Sequence, residues 1–203
     1  NDQIYVYDYY NTRLKVWNLS GNCLKNKSFG SYWQGVGVAV SNAYVYISGW
    51  YHGFIRVLDK NLNQVKYYSG FTPYYGLYGI DVNSNGTKLV AANYAKHQVA
   101  VFNISGQSLS LSQTFGSYGT GNSYFRNPTD AVFDSNGNIY VTDLYNHRLV
   151  KYNSSGTYQS QYGSWNYNGN PFRYPYGLGI SSTDKIYVAD HSQSAVQEFT
   201  TGM

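Results

Sequence analysis

The sequence predicts an all-β protein assembled from a recurring four-stranded unit. Three observations predict it. Strand-favouring residues abound while strong helix formers are scarce, with 25 Tyr against a single glutamate, Glu198, and a single methionine, Met203. Short apolar pieces alternate with turns such as "SNG" and "NSSG", where Asn and Gly supply the backbone of tight hairpins. Two fourteen-residue stretches, "FGSYGTGNSYFRNP" from Phe115 and "YGSWNYNGNPFRYP" from Tyr162, are near copies that start 47 residues apart.

The unit is clearest from Asn127 onward. "DAVFD", "NIYVTD", "RLVKY" and "YQSQYG" read as four consecutive strands, and "NIYVTD" alternates as a half-buried strand should. From Tyr174 the pieces are "YPYGLGI", "KIYVAD" and "AVQEFT". From Tyr75 they are "YGLYGIDV", "TKLVAAN", "QVAVFN" and "LSLSQTFG", and from Gly35 "GVGVAV", "AYVYIS", "FIRVLD" and "QVKYYSG". The first residues give "QIYVYD", "RLKVWN" and "CLKNKSFG". Second-strand ends align at Asp8, Ser48, Ala92, Asp143 and Asp190, spaced by 40, 44, 51 and 47 residues. Antiparallel four-stranded units at this period predict a β-propeller.

A single domain over 1–203 is expected, with about five blades at roughly 1–30, 31–70, 71–116, 117–163 and 164–203. The first and last units are each one strand short, giving 18 strands. The fourteen-residue copies then join one blade to the next. Phe125 and Phe172 are expected to plug the gap between blades, and Pro128 and Pro175 to set the start of the inner strands.

"NPTDAVFDSNGNIYVTDLYNHRLVKYNSSG" resembles an NHL repeat, a propeller blade of this length. Pro128, Asp134, Gly137, Tyr140, Val141, Asp143, Asn146, His147, Arg148 and Gly156 carry the match. The last unit matches through Pro175, Gly177 and Asp190 but reads "SQSAV" in place of Asn-x-Arg. The first keeps Asp8, Asn11 and Arg13, while Ser48 and Ala92 replace the Asp in the middle two. The resemblance implies the propeller fold for nearly the whole chain. It also raises a face metal, because NHL-like lyases bind zinc, and His52, His97, His147 and His191 all fall near the turn after the second strand. The residues favour no metal and no other cofactor: each Asp is better explained as a cap on the following turn, aided by Arg13 or Arg148.

The composition points to contacts rather than catalysis. Only 12% of residues are charged, and the 14 basic residues are scattered, so nucleic acid is not the expected partner despite the net charge of +4. No apolar run is long enough to span a membrane. The chain opens on Asn1 without a leader-like segment, as expected of a processed chain or a fragment. Aromatics cluster in apparent loops: Tyr32, Trp33, Trp50, Tyr51, Tyr74, Tyr75, Trp165 and Tyr167. The surface is rich in Tyr, Asn, Ser and Gly. The expectation is therefore a non-enzymatic, extracellular structural or interaction protein. It would bind itself, head to tail and even as a fibre, or other proteins, through aromatic loops and unpaired strand edges. A glycan is a further candidate ligand. The alternatives are a metal-dependent lyase or lactonase on the same fold, and a glycan- or RNA-binding propeller.

Overall fold

The computed structural model describes residues 2–30, 34–51, 53–70, 76–164 and 171–200. It is a five-bladed β-propeller with strands throughout. Blade one holds β1 (Gln3–Asp8), β2 (Arg13–Asn18) and β3 (Cys23–Ser28). Blade two holds β4 (Gly35–Val40), β5 (Tyr44–Gly49), β6 (Phe54–Asp59) and β7 (Gln64–Tyr68). Blade three holds β8 (Leu77–Val82), β9 (Lys88–Asn93), β10 (Gln98–Ser105) and β11 (Ser108–Phe115). Blade four holds β12 (Pro128–Phe133), β13 (Ile139–Asp143), β14 (Arg148–Tyr152) and β15 (Tyr158–Gly163). Blade five holds β16 (Pro175–Ile180), β17 (Lys185–Asp190) and β18 (Ala195–Thr200). No described helix is long and apolar enough to cross a membrane.

The core lies between blades, not within them. Successive strand residues point to opposite faces, so one strand serves two neighbours. In β5, Val45 and Ile47 pack with Leu14 and Val16 of blade one. Tyr46, between them, packs with Leu89, Ala91 and Phe102 of blade three. Blades three and four meet through Val90, Ala92 and Val101 against Ala131 and Phe133. Blades four and five meet through Tyr140 and Leu149 against Ile186 and Val188.

This corrects the half-buried reading of "NIYVTD". Every residue of β13 is buried, because blades cover both its faces. The alternation survives in β17, where Ile186, Val188 and Asp190 are buried while Lys185, Tyr187 and Ala189 are exposed. The face of blade five away from blade four is uncovered, as is that of blade one away from blade two. Ile4 is 48% exposed, Val6 46% and Val196 68%.

Strand pairing also corrects the aligned strand ends. Asp143 pairs with Arg148 at the start of β14. The equivalent pairs are Gly49 with Phe54 and Asn93 with Gln98. Gly49 and Asn93, not Ser48 and Ala92, therefore stand where the other blades carry Asp. Asn93 keeps the capping chemistry, since its Oδ1 accepts the Lys96 amide at 3.2 Å.

Phe125 and Phe172 are fully buried, the first against Phe115 and Tyr152 and the second against Phe199. Gly116 makes the first plug fit: its φ is +92°, and a Cβ there would overlap the Phe125 ring.

Candidate functional site

The four inner strands β4, β8, β12 and β16 surround a central cavity of about 760 Å³. Side chains tie these strands together. The Ser48 hydroxyl donates to the Tyr78 carbonyl, and the Thr142 hydroxyl to the Tyr176 carbonyl at 3.3 Å. Two carboxylates do the same from inside the cavity. Asp81 Oδ2 accepts the Phe133 amide at 2.9 Å, joining blades three and four. Asp130 Oδ1 accepts the Ala131 amide and Oδ2 the Leu178 amide, both at 2.9 Å, joining blades four and five. Asp130 lies over Gly79, where a Cβ would overlap its carboxyl.

Burial pushes the Asp130 carboxyl up to about 7, its backbone hydrogen bonds resist, and nearby Asp81 adds to the rise. Asp81 is raised as well, again mainly by burial. A carboxyl that changes charge near neutrality inside a cavity is equipped for proton transfer. Neither residue belongs to the repeat pattern read from the sequence.

One end of the cavity carries an aromatic collar drawn from all five blades. Trp50 meets Tyr78 edge-on at 4.7 Å between ring centroids. Tyr78 stacks on Tyr94 at 4.8 Å and meets Tyr176 at 5.9 Å. Tyr145 meets Tyr174 edge-on. Tyr9, Val36, Trp50, Tyr78 and Tyr176 enclose a mouth of about 400 Å³. Val36, Tyr78 and Tyr176 line both the mouth and the cavity, so the two spaces adjoin. Burial drives the Tyr78 and Tyr94 phenols far above their ordinary values. Both stay protonated at neutral pH.

The repeat residues have a different task. Asp143 Oδ1 accepts the Arg126 amide at 2.7 Å, and its Oδ2 receives Asn146 Nδ2 at 2.7 Å and Arg148 Nε at 2.8 Å. Arg148 spends its other donors on the Thr120, Gly121 and Tyr124 carbonyls and on Gln161. The 116–127 connector is thus wrapped around one guanidinium. Asp190 repeats part of this, accepting the Arg173 and Tyr174 amides. Asp8, Asn11 and Arg13 repeat the side-chain cluster near the surface, with Arg13 Nε 3.1 Å from Asp8. Asp134 caps its own turn, accepting the Asn136 and Asn138 amides. Pro128 and Pro175 open β12 and β16. Gly137 takes a φ of +79° in the turn before β13.

The histidines are clasps as well. His97 and His147 share a left-handed backbone with φ of 55°. His97 Nδ1 accepts the Asn127 amide at 3.0 Å, consistent with burial and then Arg126 lowering its pKa. His147 Nδ1 contacts the Arg173 carbonyl. His191 is exposed, and His52 lies outside the described residues. Among the described residues no three His, Cys, Asp or Glu converge as a metal site. Of the loop aromatics, Trp50 turns into the collar and Tyr51 is exposed on the surface. Tyr32, Trp33, Tyr74, Tyr75, Trp165 and Tyr167 lie outside the described residues.

Repeated blades, clasped connectors and a collared axial cavity define the class: a β-propeller whose fixed parts frame an aromatic mouth. Residues 125–152 match the NHL repeat, and that match together with the five blades supports an NHL-repeat β-propeller family.

Among curated proteins, the chain is 30% identical over 157 residues to the peptidylglycine alpha-amidating monooxygenase of Rattus norvegicus, covering 72% of this chain and 16% of that enzyme. It is 28% identical over 135 residues to a protein of Caenorhabditis elegans named as a probable peptidyl-alpha-hydroxyglycine alpha-amidating lyase, covering 64% of this chain and 38% of the lyase. The chain therefore spans well under half the length of these relatives. Among solved structures, virginiamycin B lyase of Staphylococcus aureus, in a catalytically inactive variant with quinupristin, matches with a TM-score of 0.69 at 13% identity. That match covers 99% of this chain and 67% of the lyase, and shows the fold. The expectation of a non-enzymatic protein is overturned by these relatives, which are named as enzymes. Of the loop rings expected at an interface, Trp50 lines a cavity while Tyr51 is exposed.

Proposed function

We propose that the chain is a lyase-type enzyme acting on a peptide-like substrate where the aromatic mouth opens into the cavity. Asp130 is the proton-transferring group. The observation that carries this is its carboxyl, pushed up to about 7 within a cavity that adjoins that mouth. The named relatives supply the reaction class. The segment shared with the rat enzyme also resembles a nematode protein named as a lyase alone, which favours elimination over oxidation.

Elimination from a peptidyl-α-hydroxyglycine balances simply. A base takes the proton of the α-hydroxyl, and a carbonyl forms as the Cα–N bond breaks. The electron pair passes to nitrogen, which takes up a proton. A peptide amide and glyoxylate result. Ionised Asp130 can accept the hydroxyl proton, because each oxygen keeps a lone pair beyond its backbone hydrogen bond. Those two amides hold the carboxyl in place. The purified chain, incubated with a peptide ending in α-hydroxyglycine, should release the peptide amide well above the uncatalysed rate, as read by mass spectrometry. Release at the background rate across pH 5–9 would defeat the proposal.

Association between copies is a second reading, favoured by the uncovered faces of the first and last blades, where Ile4, Val6 and Val196 are exposed. Sedimentation velocity should show an apparent mass that grows with concentration and falls back on Val196→Lys. A single species of 22.9 kDa at every concentration would contradict it.

A further inference from the structure

The mouth is more than a passage. Its walls are Tyr9, Val36, Trp50, Tyr78 and Tyr176, contributed by four blades. Among the described residues no charged side chain lines it. One of its hydroxyls is spoken for, since the Tyr9 hydroxyl donates to Gln34 at 2.9 Å. What the walls offer an occupant is chiefly ring surface. The rings stand steeply to one another, with Trp50 at 80° and Tyr176 at 67° to Tyr78, so they form walls of a box rather than one flat stack. Tyr176, one of its walls, is 40% exposed. Apolar pockets with walls of this kind take apolar or aromatic groups, and edge-to-face contacts add to the burial. At about 400 Å³ the space suits one bulky side chain together with its adjoining backbone.

We infer that this box is a specificity subsite for one bulky apolar or aromatic side chain of a peptide-like ligand, with Trp50 as its discriminating wall. The inference rests on the peptide-like substrate class proposed above, and it adds which residue the enzyme selects. A side chain seated at the mouth places the following backbone atoms toward the cavity that holds Asp130. A charged side chain would lose its hydration there without an opposite charge on the walls.

Binding of unreactive peptides separates this inference from the lyase reading. N-acetyl-phenylalanyl-glycine and N-acetyl-alanyl-glycine lack the α-hydroxyl and cannot undergo the elimination. Calorimetry should show the phenylalanyl peptide binding about tenfold tighter or more. Trp50→Ala should bring the two within about threefold, because the wall that contacts the ring is gone. Val36→Trp, which fills the box, should weaken the phenylalanyl peptide selectively and serves as the second variant if Trp50→Ala fails to fold. Trp17→Phe, in blade one, should leave the preference unchanged. Equal binding of the two peptides by the native chain would overturn the subsite. So would a preference that survives both box variants. Either result leaves the lyase reading to be judged by amide release alone.

Discussion

Replacing Arg148 by alanine should cost about 3–5 kcal/mol of stability, read as a lower urea midpoint. Arg148 is 2% exposed at its side chain and Asp143 0%, so the pair is sealed from water. Burial pushes the Asp143 carboxyl up, and Arg148 opposes it most strongly. Removing the guanidinium leaves that carboxylate buried without its cation. It also strips the Thr120 and Tyr124 carbonyls of their side-chain donor and leaves the Gly121 carbonyl with the Tyr124 amide. Arg148→Lys keeps the charge but lacks the planar fork that serves them, so an intermediate loss is expected. Arg13→Ala is the comparison. It breaks the same kind of pair with Asp8, but there the side chains are 32% and 27% exposed. Its cost should stay within about 1 kcal/mol. Equal losses at the two sites would show that the connector does not depend on Arg148.

Replacing Asp130 by asparagine should lower turnover of an α-hydroxyglycine peptide by about 10²–10⁴-fold, the usual contribution of a positioned acid or base. The fold should survive. The folded carboxyl titrates at about 7, above the ordinary 3.8, so the neutral form is the one favoured by folding. Its contribution to stability is full below about pH 4 and is lost as the pH rises through 7. Asparagine stays neutral at all pH values. The variant should therefore lose less stability than the native chain between pH 5 and 8. A large loss of activity with no loss of stability at pH 8 separates a chemical role from the inter-blade hydrogen bond to Leu178.

Most of the architecture was legible in the sequence because hairpin turns and strand length repeat with the blade. The "NHR" turn and its Asp announce a local cluster, since all three partners lie within six residues. Ser48 and Ala92 were misaligned because both end an apolar run and so imitate a strand terminus. Their true equivalents, Gly49 and Asn93, emerge only from pairing with the third strand. Asp81 and Asp130 left no periodic signal, because each joins its own blade to the next from a different place in the inner strand. The collar was hidden for another reason. Tyr9, Trp50, Tyr78 and Tyr176 lie far apart in the chain, and only closure around the cavity brings them together. A ring in a turn reads alike whether it faces a partner or an axis.

The pH dependence of kcat/KM for an α-hydroxyglycine peptide tests the placement of the chemistry most directly. With Asp130 as the base, the native chain should show an inflection near pH 7, rate rising as the carboxyl ionises, and Asp130→Asn should lack it. A native profile flat from pH 5 to 9, or an inflection that persists in Asp130→Asn, would contradict the account.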